Sequence, residues 1–337
     1  MTHLTRRGAI GALGAGAALL AAPAIAQNRK ITVGALRFTS HAGTFVALER
    51  GHFAEAGLDV ELKFFQAAPP MAAAIASGDV DYAVTAMSGG LVNLAQKGAV
   101  RIIGGALKEE PGIDGQKILA SDAAYRAGLT SPAMLDGKSF GISAAGSSFH
   151  YIGSRVAEAE GATLTFRPLQ KVPAIIGALK SGQIDAWAIV PHIAGPLAAS
   201  GAVHVIGDVA DYIPDYQVTT IFTSKSNADD ERDLTSAFLA AYSQGAAEYN
   251  DAMIEGTGGQ EGEDAMIDLI HTYVYADQPR EQAAPSIVAG TMRLQPGARL
   301  DMASLADQLA WYQSEGLVDA AITIETVVDP SYVETVG

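Results

Sequence analysis

Two serine-containing turns stand where a polar ligand can be bound. Each follows a short apolar run of strand length and precedes a run of helix-forming residues; the first contains Ser40 and His41, the second Ser147 and Ser148. The first turn of a helix leaves backbone N–H groups unpaired at the positive end of its dipole, and nearby hydroxyls add hydrogen bonds. This chemistry suits an anionic or strongly polar group. N-capping explains the same serines, and the two roles are compatible.

Residue types used by enzymes are present, but not in a catalytic arrangement. The segment "GISAA" (141–145) lacks the second glycine of a G-x-S-x-G nucleophile elbow, because Ala145 stands there. His150 is close to the serines of the second turn but lies on the following helix, with no acid evidently placed to orient it. The seven histidines show no metal-binding spacing. We therefore expect no enzyme activity, no cofactor and no metal site. An exported enzyme acting on a small molecule is the alternative.

Other polar residues stand near the predicted ends of strands, where open α/β sheets bind their ligands. Arg37 follows the first strand and is the one cation well placed to meet a carboxylate or sulfonate, although pairing with an acid explains it equally well. The remaining strand-end candidates for the wall of a site are Gln66, Thr85, Met87, Ser88 and Ser143.

A ten-residue phrase occurs twice. "IASGDVDYAV" (75–84) and "LKSGQIDAWA" (179–188) share the same Ser, Gly and Asp positions, with helix formers before and an apolar run after. Gly78 and Gly182 predict left-handed residues that end the preceding helices. Asp81 and Asp185 stand in the turn before a strand, where a carboxylate usually accepts from nearby backbone N–H groups. We predict a structural role for both.

The serine turns and the Asp phrases occur in the same order in each half, which favours two α/β lobes. A β-rich run, "YQVTTIFTS" (216–224), follows the second half, and the chain then becomes helical. The simplest assembly is one lobe interrupted by another. Lobe one is predicted to comprise 27–115 and 217–337, and lobe two 116–216. Two chain crossings then make a hinge, and the cleft between the lobes is the predicted binding site.

The composition is that of a folded, acidic protein. Hydrophobic residues make up 49% of the 337 residues and charged residues 18%, which argues against disorder. A net charge of −15 disfavours a nucleic acid or an anionic membrane as partner. The sequence has no cysteine, so disulfides, thiolate metal sites and a lipidated N-terminal cysteine are excluded.

Residues 1–26 have the pattern of an export signal. Arg6 and Arg7 precede a weakly hydrophobic run, and Ala24-Ile25-Ala26 fits a small-x-small cleavage site. The paired arginines resemble a twin-arginine signal; an ordinary secretory signal gives the same destination. Cleavage would remove two arginines and no acid, giving a mature charge of −17. We expect a periplasmic protein, monomeric and without membrane insertion after cleavage.

These segments together resemble the periplasmic solute-binding proteins of ABC importers, in the branch that handles sulfonates, taurine, nitrate and thiamine-pyrimidine precursors (the NMT1/THI5-like group). The resemblance rests on "SHAGTFVALERGHFAEAGLDVELKFF", "AAAIASGDVDYAVT", "MLDGKSFGIS", "GSSFHYI", "LKSGQIDAWAIVPH" and "QSEGLVDAAITIETVVDPSY". It implies a type II periplasmic-binding-protein fold, two α/β lobes joined by a two-strand hinge. It also implies a receptor that binds a small polar or anionic organic solute and delivers it to an ABC permease with its ATPase.

The resemblance implies particular ligand contacts. Serines matching Ser147 and Ser148 commonly contact the ligand in this family. His41 resembles the histidine of the "HAG" segment in the thiamine-pyrimidine branch, although a histidine satisfied by local backbone explains it equally well. His192 follows the strand-end proline, before which the family often has an aromatic–acid pair. Here 189–190 are Ile and Val, which predicts a more apolar wall. Sulfonate, nitrate, pyrimidine and aromatic carboxylate all remain open as ligands.

Overall fold

The computed structural model describes residues 28–337, so the predicted export signal lies outside the described residues. The strands are β1 Arg29–Ala35, β2 Leu58–Phe64, β3 Tyr82–Thr85, β4 Val100–Lys108, β5 Lys117–Ser121, β6 Ser139–Ile142, β7 Thr165–Pro168, β8 Ala186–Ile189, β9 Val203–Asp208, β10 Gln217–Ser224, β11 Leu300–Asp301 and β12 Thr335–Val336. The α-helices are α1 Ala42–Glu49, α2 His52–Glu55, α3 Pro69–Ala76, α4 Gly89–Gln96, α5 Asp122–Arg126, α6 Ser148–Glu160, α7 Val172–Lys180, α8 Pro191–Ala199, α9 Lys225–Asp230, α10 Arg232–Met253, α11 Gly259–His271, α12 Arg280–Ala289, α13 Met302–Ser314 and α14 Ile324–Val327. Across residues 28–337, no helix combines the length and the apolar character that a membrane crossing requires.

Two five-stranded sheets share one arrangement. Their strand orders are β2-β1-β3-β10-β4 and β7-β6-β8-β5-β9. In each, the first three strands are parallel, and the fourth is antiparallel to both of its neighbours. That fourth strand is β10, where the chain returns to the first sheet, or β5, where it enters the second. We call the first sheet with α1–α4 and α9–α14 lobe one, and the second sheet with α5–α8 lobe two. The predicted pair of α/β lobes is confirmed.

The chain crosses between the lobes twice, and the crossings run side by side. Residues 109–116 join β4 to β5, and 209–216 join β9 to β10. The Glu109 N–H donates to the Tyr216 carbonyl at 2.9 Å, and the Val209 N–H donates to the Gln116 carbonyl at 2.9 Å. These bonds couple the crossings into a two-strand hinge. We propose the domain boundaries at 115/116 and 216/217 on this basis.

The repeated phrase performs the same structural task in both lobes. Gly78 and Gly182 have φ of +78° and +70°, which fits the predicted left-handed helix ends. The Asp81 carboxylate accepts from the N–H of Thr32 on β1 at 2.7 Å. The Asp185 carboxylate accepts from the N–H of Ser139 on β6 at 2.8 Å and also from its hydroxyl at 2.7 Å. Each aspartate therefore has a structural role, as predicted, but its partner is the N–H of a neighbouring strand 49 or 46 residues earlier and not of its own turn.

Substituting these aspartates is expected to reduce stability without affecting ligand binding. Asp81→Ala leaves the part-buried Thr32 N–H unpaired, so the free energy of unfolding should fall by about 1–3 kcal/mol. Denaturant unfolding measures this change. Asp79→Ala, an exposed neighbour, is the matched control and should change the free energy of unfolding by less than about 0.5 kcal/mol. Equal effects of the two substitutions would contradict the assigned role of Asp81.

Both lobes have well-filled cores around their central strands. Every residue of β3 and of β8 is buried. Trp187 on β8 is fully buried beneath α6, where the Phe149 ring packs edge-on against it at 5.3 Å between ring centroids. The prediction that this tryptophan belongs to the lobe-two core is therefore confirmed.

Candidate functional site in the cleft between the lobes

The cleft between the lobes is closed in the structure. At one end the Gly89 N–H of lobe one donates to the Gly146 carbonyl of lobe two at 2.9 Å. Nearer the other end, the Val172 N–H of lobe two donates to the Gln66 carbonyl of lobe one at 3.1 Å. Main chain therefore meets main chain across the cleft, and side chains between these two contacts are shielded from water.

An inner cavity of about 40 Å³ lies in the closed cleft. Both lobes and the hinge contribute to its wall, which is formed by Leu36, Phe38, Ser40, His41, Ala68, Thr85, Ala86, Gln116, Ser143, Ser148, Phe149, Val172, Ile189, Val190, Val218 and Thr219. No charged side chain of the described chain lines it. Ile189 and Val190 belong to this wall, so the predicted apolar character at that point is confirmed. The cavity is too small for an organic molecule, so ligand entry requires the lobes to separate.

An outer cavity of about 480 Å³ continues from the inner one, with which it shares Leu36, Phe38 and Val172. Its volume lies in the range of ordinary small-molecule sites. The wall is mainly apolar and aromatic and is completed by Arg37, Phe64, Phe65, Gln66, Pro173, Ile176, His192, Ile193, Pro196, Leu197 and Tyr275. A ligand with an apolar body fits this outer space, with a polar end directed into the inner cavity.

Arg37 lies at the rim of the outer cavity, not over the inner one. Its guanidinium donates to the Tyr273 carbonyl at 3.0 Å and stacks 3.9 Å from the centre of the Phe64 ring. It forms no ion pair with an acid of residues 28–337. The exposed side chain can therefore meet an anionic group only at the mouth of the cleft, and its role as a counterion stays a prediction.

His41 faces the inner cavity with one nitrogen unpaired. It ends the 3-10 turn Thr39–His41 before α1 and is fully buried. The Leu36 N–H donates to its Nδ1 at 3.4 Å, whereas its Nε2 has no partner within the described chain. Burial lowers the pKa of His41 to about 3, so the ring is neutral at physiological pH. Because Nδ1 accepts, Nε2 carries the proton. Local backbone thus satisfies only one side of the ring.

His192 joins the two lobes and also keeps one nitrogen unpaired. Its Nδ1 lies 3.1 Å from the Thr39 hydroxyl of lobe one, and that hydroxyl donates to the Gly290 carbonyl at 3.1 Å. The hydroxyl has a single proton, so Nδ1 must donate to it, and the unpartnered Nε2 carries a lone pair. Burial, and secondly the proximity of His41, lower the pKa of His192 to about 3. The Tyr275 hydroxyl donates to the His192 carbonyl at 2.7 Å.

The second serine turn presents a free hydroxyl. Ser147 stands at the N-cap position of α6, yet its side chain makes no cap hydrogen bond. Its Oγ is buried and has no partner within residues 28–337. Ser148, the first residue of α6, lines the inner cavity. Capping therefore does not explain Ser147, and its role as a ligand contact stays a prediction.

Replacing Ser147 and Ser148 together by Ala is expected to weaken ligand binding while leaving stability nearly unchanged. Each lost hydrogen bond to the ligand should raise the Kd by a factor of about 5 to 150, the equivalent of about 1–3 kcal/mol. Calorimetry measures the Kd, and denaturant unfolding measures stability.

Ser121→Ala is the matched control for the double serine variant. The Ser121 hydroxyl is a true N-cap, because it accepts from the Ala124 N–H at 3.1 Å at the start of α5. Its loss should cost about 0.5–2 kcal/mol of stability and leave the Kd unchanged. A double variant that binds as tightly as the wild type would exclude Ser147 and Ser148 as ligand contacts.

The structure brings most, but not all, of the predicted residues to the cleft. Ser40, Thr85 and Ser143 line the inner cavity, and Gln66 lines the outer one. Three predicted residues line neither cavity: Met87 is buried in the lobe-one core, the Ser88 hydroxyl caps α4 by accepting from Leu91 at 3.2 Å, and Ser147 is buried beside Ser148. The chain turns away from the cleft into α4 at Met87 and Ser88.

The sequence analysis did not identify two aromatic residues and one threonine of the wall. Phe38 separates Arg37 from the first serine turn, so its position was a usable signal. Tyr275 lies between α11 and α12, far along the chain, and Thr219 lies on β10. Thr219 lines the inner cavity with a buried hydroxyl that has no partner in the described chain. Nothing local in the sequence marks the last two as site residues.

Two observations concern the histidine beside the second serine turn and the potential metal ligands of the described residues. His150 accepts from the Gly146 N–H at 3.1 Å and packs against Phe166 and Trp311, with no carboxylate bonded to it. Residues 28–337 contain no group of three or more potential ligands arranged around a metal position.

Comparisons with known proteins agree with this architecture. A family model described as NMT1/THI5 like matches residues 38–252. The alkanesulfonate-binding protein SsuA from Xanthomonas axonopodis pv. citri, bound to MOPS, superposes with a TM-score of 0.70 at 16% identity, over 89% of this chain and 98% of that one. The periplasmic aliphatic sulphonate binding protein SsuA from Escherichia coli gives 0.66 at 18% identity, over 89% and 97%. The periplasmic nitrate-binding protein NrtA from Synechocystis gives 0.70 at 12% identity, over 90% and 86%. A comparison with curated proteins gives no match. At these identities the structural likenesses show a shared fold, which confirms the predicted periplasmic-binding-protein fold.

Proposed function

The chain belongs to the NMT1/THI5-like family, and we propose that it is a periplasmic receptor that binds a small polar or anionic organic solute between its lobes and delivers it to an ABC permease with its ATPase. The observation that carries this proposal is the closed cleft, in which polar atoms of both lobes have no partner within residues 28–337. These atoms are His41 Nε2, Ser147 Oγ, His192 Nε2 and Thr219 Oγ1.

Unpaired buried polar groups are rare in folded proteins, and each costs about 1–3 kcal/mol. A ligand that supplies their partners recovers this free energy only when both lobes surround it. Binding therefore favours the closed arrangement over an open one, as a two-state receptor requires. The hinge made by residues 109–116 and 209–216 gives the chain a place to bend.

The comparisons support a binding role through the names of proteins that share this fold, namely sulfonate-binding and nitrate-binding periplasmic proteins. The N-terminal pattern supports export by a twin-arginine or secretory route. The net charge of −15 disfavours association with nucleic acid or an anionic membrane. The enzyme alternative lacks a nucleophile with a general base in the described cleft, since both cleft histidines hold low pKa values and have no carboxylate partner.

Ligand identification and small-angle scattering together test the receptor role. Native mass spectrometry of the protein as purified should reveal a retained small molecule, which can then be removed and added back. Adding it should reduce the radius of gyration, and the molecule should be recovered unchanged after long incubation. A tightly bound molecule that leaves the radius unchanged contradicts hinge closure. Catalytic product formation supports the enzyme alternative instead.

A further inference from the structure

Two neutral imidazoles in the cleft have opposite hydrogen-bonding roles. Hydrogen bonding fixes the proton of His41 on Nε2, because Leu36 occupies Nδ1 as a donor. The opposite holds for His192, whose Nδ1 must donate to the Thr39 hydroxyl. Each ring therefore offers one unused atom, a donor on His41 and an acceptor on His192.

The two rings belong to different lobes but to one continuous site. His41 lines the inner cavity and His192 the outer one, and both pack edge-on against Phe38, at 6.2 Å and 5.0 Å between ring centroids. Phe38 itself lines both cavities. A head group at the junction of the two cavities meets lobe one through His41 and lobe two through His192.

We propose that His41 and His192 act as a donor–acceptor pair that selects an uncharged ligand head group carrying both a hydrogen-bond acceptor and an N–H or O–H donor, as a carboxamide does. This inference rests on the proposed receptor function and narrows it. The ligand's acceptor receives the His41 Nε2–H, and the ligand's donor is received by the His192 Nε2 lone pair.

The electrostatics of the site favour an uncharged head group over an anion. No charged side chain of residues 28–337 lines the inner cavity, and the one cation of the outer cavity, Arg37, is turned to the Tyr273 carbonyl and the Phe64 ring at the rim. Both imidazoles stay neutral, so neither serves as a counter-charge. A carboxylate or sulfonate can also only accept, and would set its lone pairs against that of His192 Nε2.

Three probes with one phenyl body test the selection of the head group in the full mature chain. Benzamide has an acceptor and an N–H donor, N,N-dimethylbenzamide keeps only the acceptor, and benzoate is the anion of similar shape. Calorimetric titration should give benzamide the lowest Kd. N,N-dimethylbenzamide and benzoate should each bind about tenfold more weakly, because each leaves one buried histidine nitrogen without a hydrogen-bond partner. Benzoate binding as tightly as benzamide, or tighter, overturns the proposal. Failure of all three probes to bind also overturns it.

Substitutions of His41 and His192 test which ring is responsible for the preference among the probes. His192→Phe should abolish the preference for benzamide over N,N-dimethylbenzamide, and His41→Phe should weaken both amides about equally. His204→Phe is the matched control, because that ring lies on β9 outside both cavities, stacked on Tyr125 at 3.9 Å. If the Phe variants unfold by circular dichroism, His41→Gln and His192→Gln replace them. If both Gln variants keep the wild-type preference for benzamide over N,N-dimethylbenzamide, the roles assigned to the two rings are overturned.

Nitrogen chemical shifts test the tautomers directly. In the protein saturated with whichever probe binds best, ¹⁵N NMR should show His41 protonated at Nε2 and His192 at Nδ1. The reverse tautomer on either ring overturns the proposal. Two other results would contradict the receptor role: hydrolysis of benzamide to benzoate and ammonia, or a bound probe that leaves the radius of gyration unchanged. A benzoate preference with normal closure leaves the receptor role standing and removes only the inference about the head group.

Discussion

Gly290→Ala is expected to hold the lobes apart and to raise the Kd for ligand roughly 5- to 150-fold, corresponding to about 1–3 kcal/mol of overpacking in the closed state. Gly290 follows α12 in lobe one and faces the first turn of α8 in lobe two. A Cβ at this position would lie 2.3 Å from the Cβ of His192 and 2.7 Å from the Thr39 hydroxyl. Neither approach is tolerated without movement, and the His192 contact crosses between the lobes.

Gly290→Ala should impair closure of the lobes and leave the fold of each lobe unchanged. The φ of Gly290 is −88°, so alanine adopts this backbone without strain. The approach to Thr39 lies within lobe one but involves only a rotatable hydroxyl, so the unfolding free energy of the ligand-free protein should change less than the binding free energy, whereas the ligand-dependent decrease in the radius of gyration should be reduced or lost. Calorimetry and scattering on the same samples measure both quantities.

Gly195→Ala is the matched control for Gly290→Ala. Gly195 lies on α8 in the same contact between α8 and α12, but its added Cβ would lie 3.7 Å from the Ala289 Cβ, an ordinary van der Waals distance. This variant should bind and close like the wild type. Wild-type affinity in both variants would show that closure does not need the close approach of Gly290 to His192.

Ligand affinity is expected to fall as the pH drops below about 6.5, the ordinary pKa of a histidine. In the closed protein burial lowers the pKa of His192 to about 3, with a smaller contribution from His41. An open cleft breaks the contact of His192 with Thr39 and exposes the ring, so its pKa returns towards the ordinary value. The open form therefore binds a proton that the closed form excludes.

The sign and size of the pH effect follow from this proton difference. Affinity is constant above the open-state pKa and decreases as the pH falls towards 3, by up to about tenfold per pH unit for each histidine that is exposed on opening. No acid bonds to either ring in the described chain, and the groups facing His192 are Phe38, Thr39, Tyr275 and the neutral His41. No nearby carboxylate offsets the trend.

Calorimetric titration with an uncharged ligand between about pH 5 and 7.5 measures this dependence without a titrating ligand group. Circular dichroism over the same range should confirm that the protein stays folded. His192→Gln removes the titrating ring and should flatten the profile, leaving only the contribution of His41. A Kd that is the same at both ends of the range in the wild type would refute the linkage.

The repeated phrases were enough to predict the duplicated lobes. Gly78 and Gly182 end their own helices, so a short sequence pattern encodes them, whereas the partners of Asp81 and Asp185 lie 49 and 46 residues away and are set by the pairing of strands. The burial of Trp187 was predicted from its place in an apolar run, and the apolar character of residues 189–190 from a departure from the family pattern. The candidate site was predicted less completely, since Met87, Ser88 and Ser147 line neither cavity.

The sequence by itself determined the two-lobe fold class, the glycine helix ends and the serine turns, because burial periodicity and turn chemistry are properties of contiguous residues. The domain boundaries and a binding site between the lobes stay predictions. Only the tertiary structure decided which polar atoms meet in the cleft. Thr39, His192 and Gly290 come from three distant segments and form one hydrogen-bonded contact. That contact fixes the proton of His192, and no local pattern specifies it, because it exists only when the two lobes pack against each other.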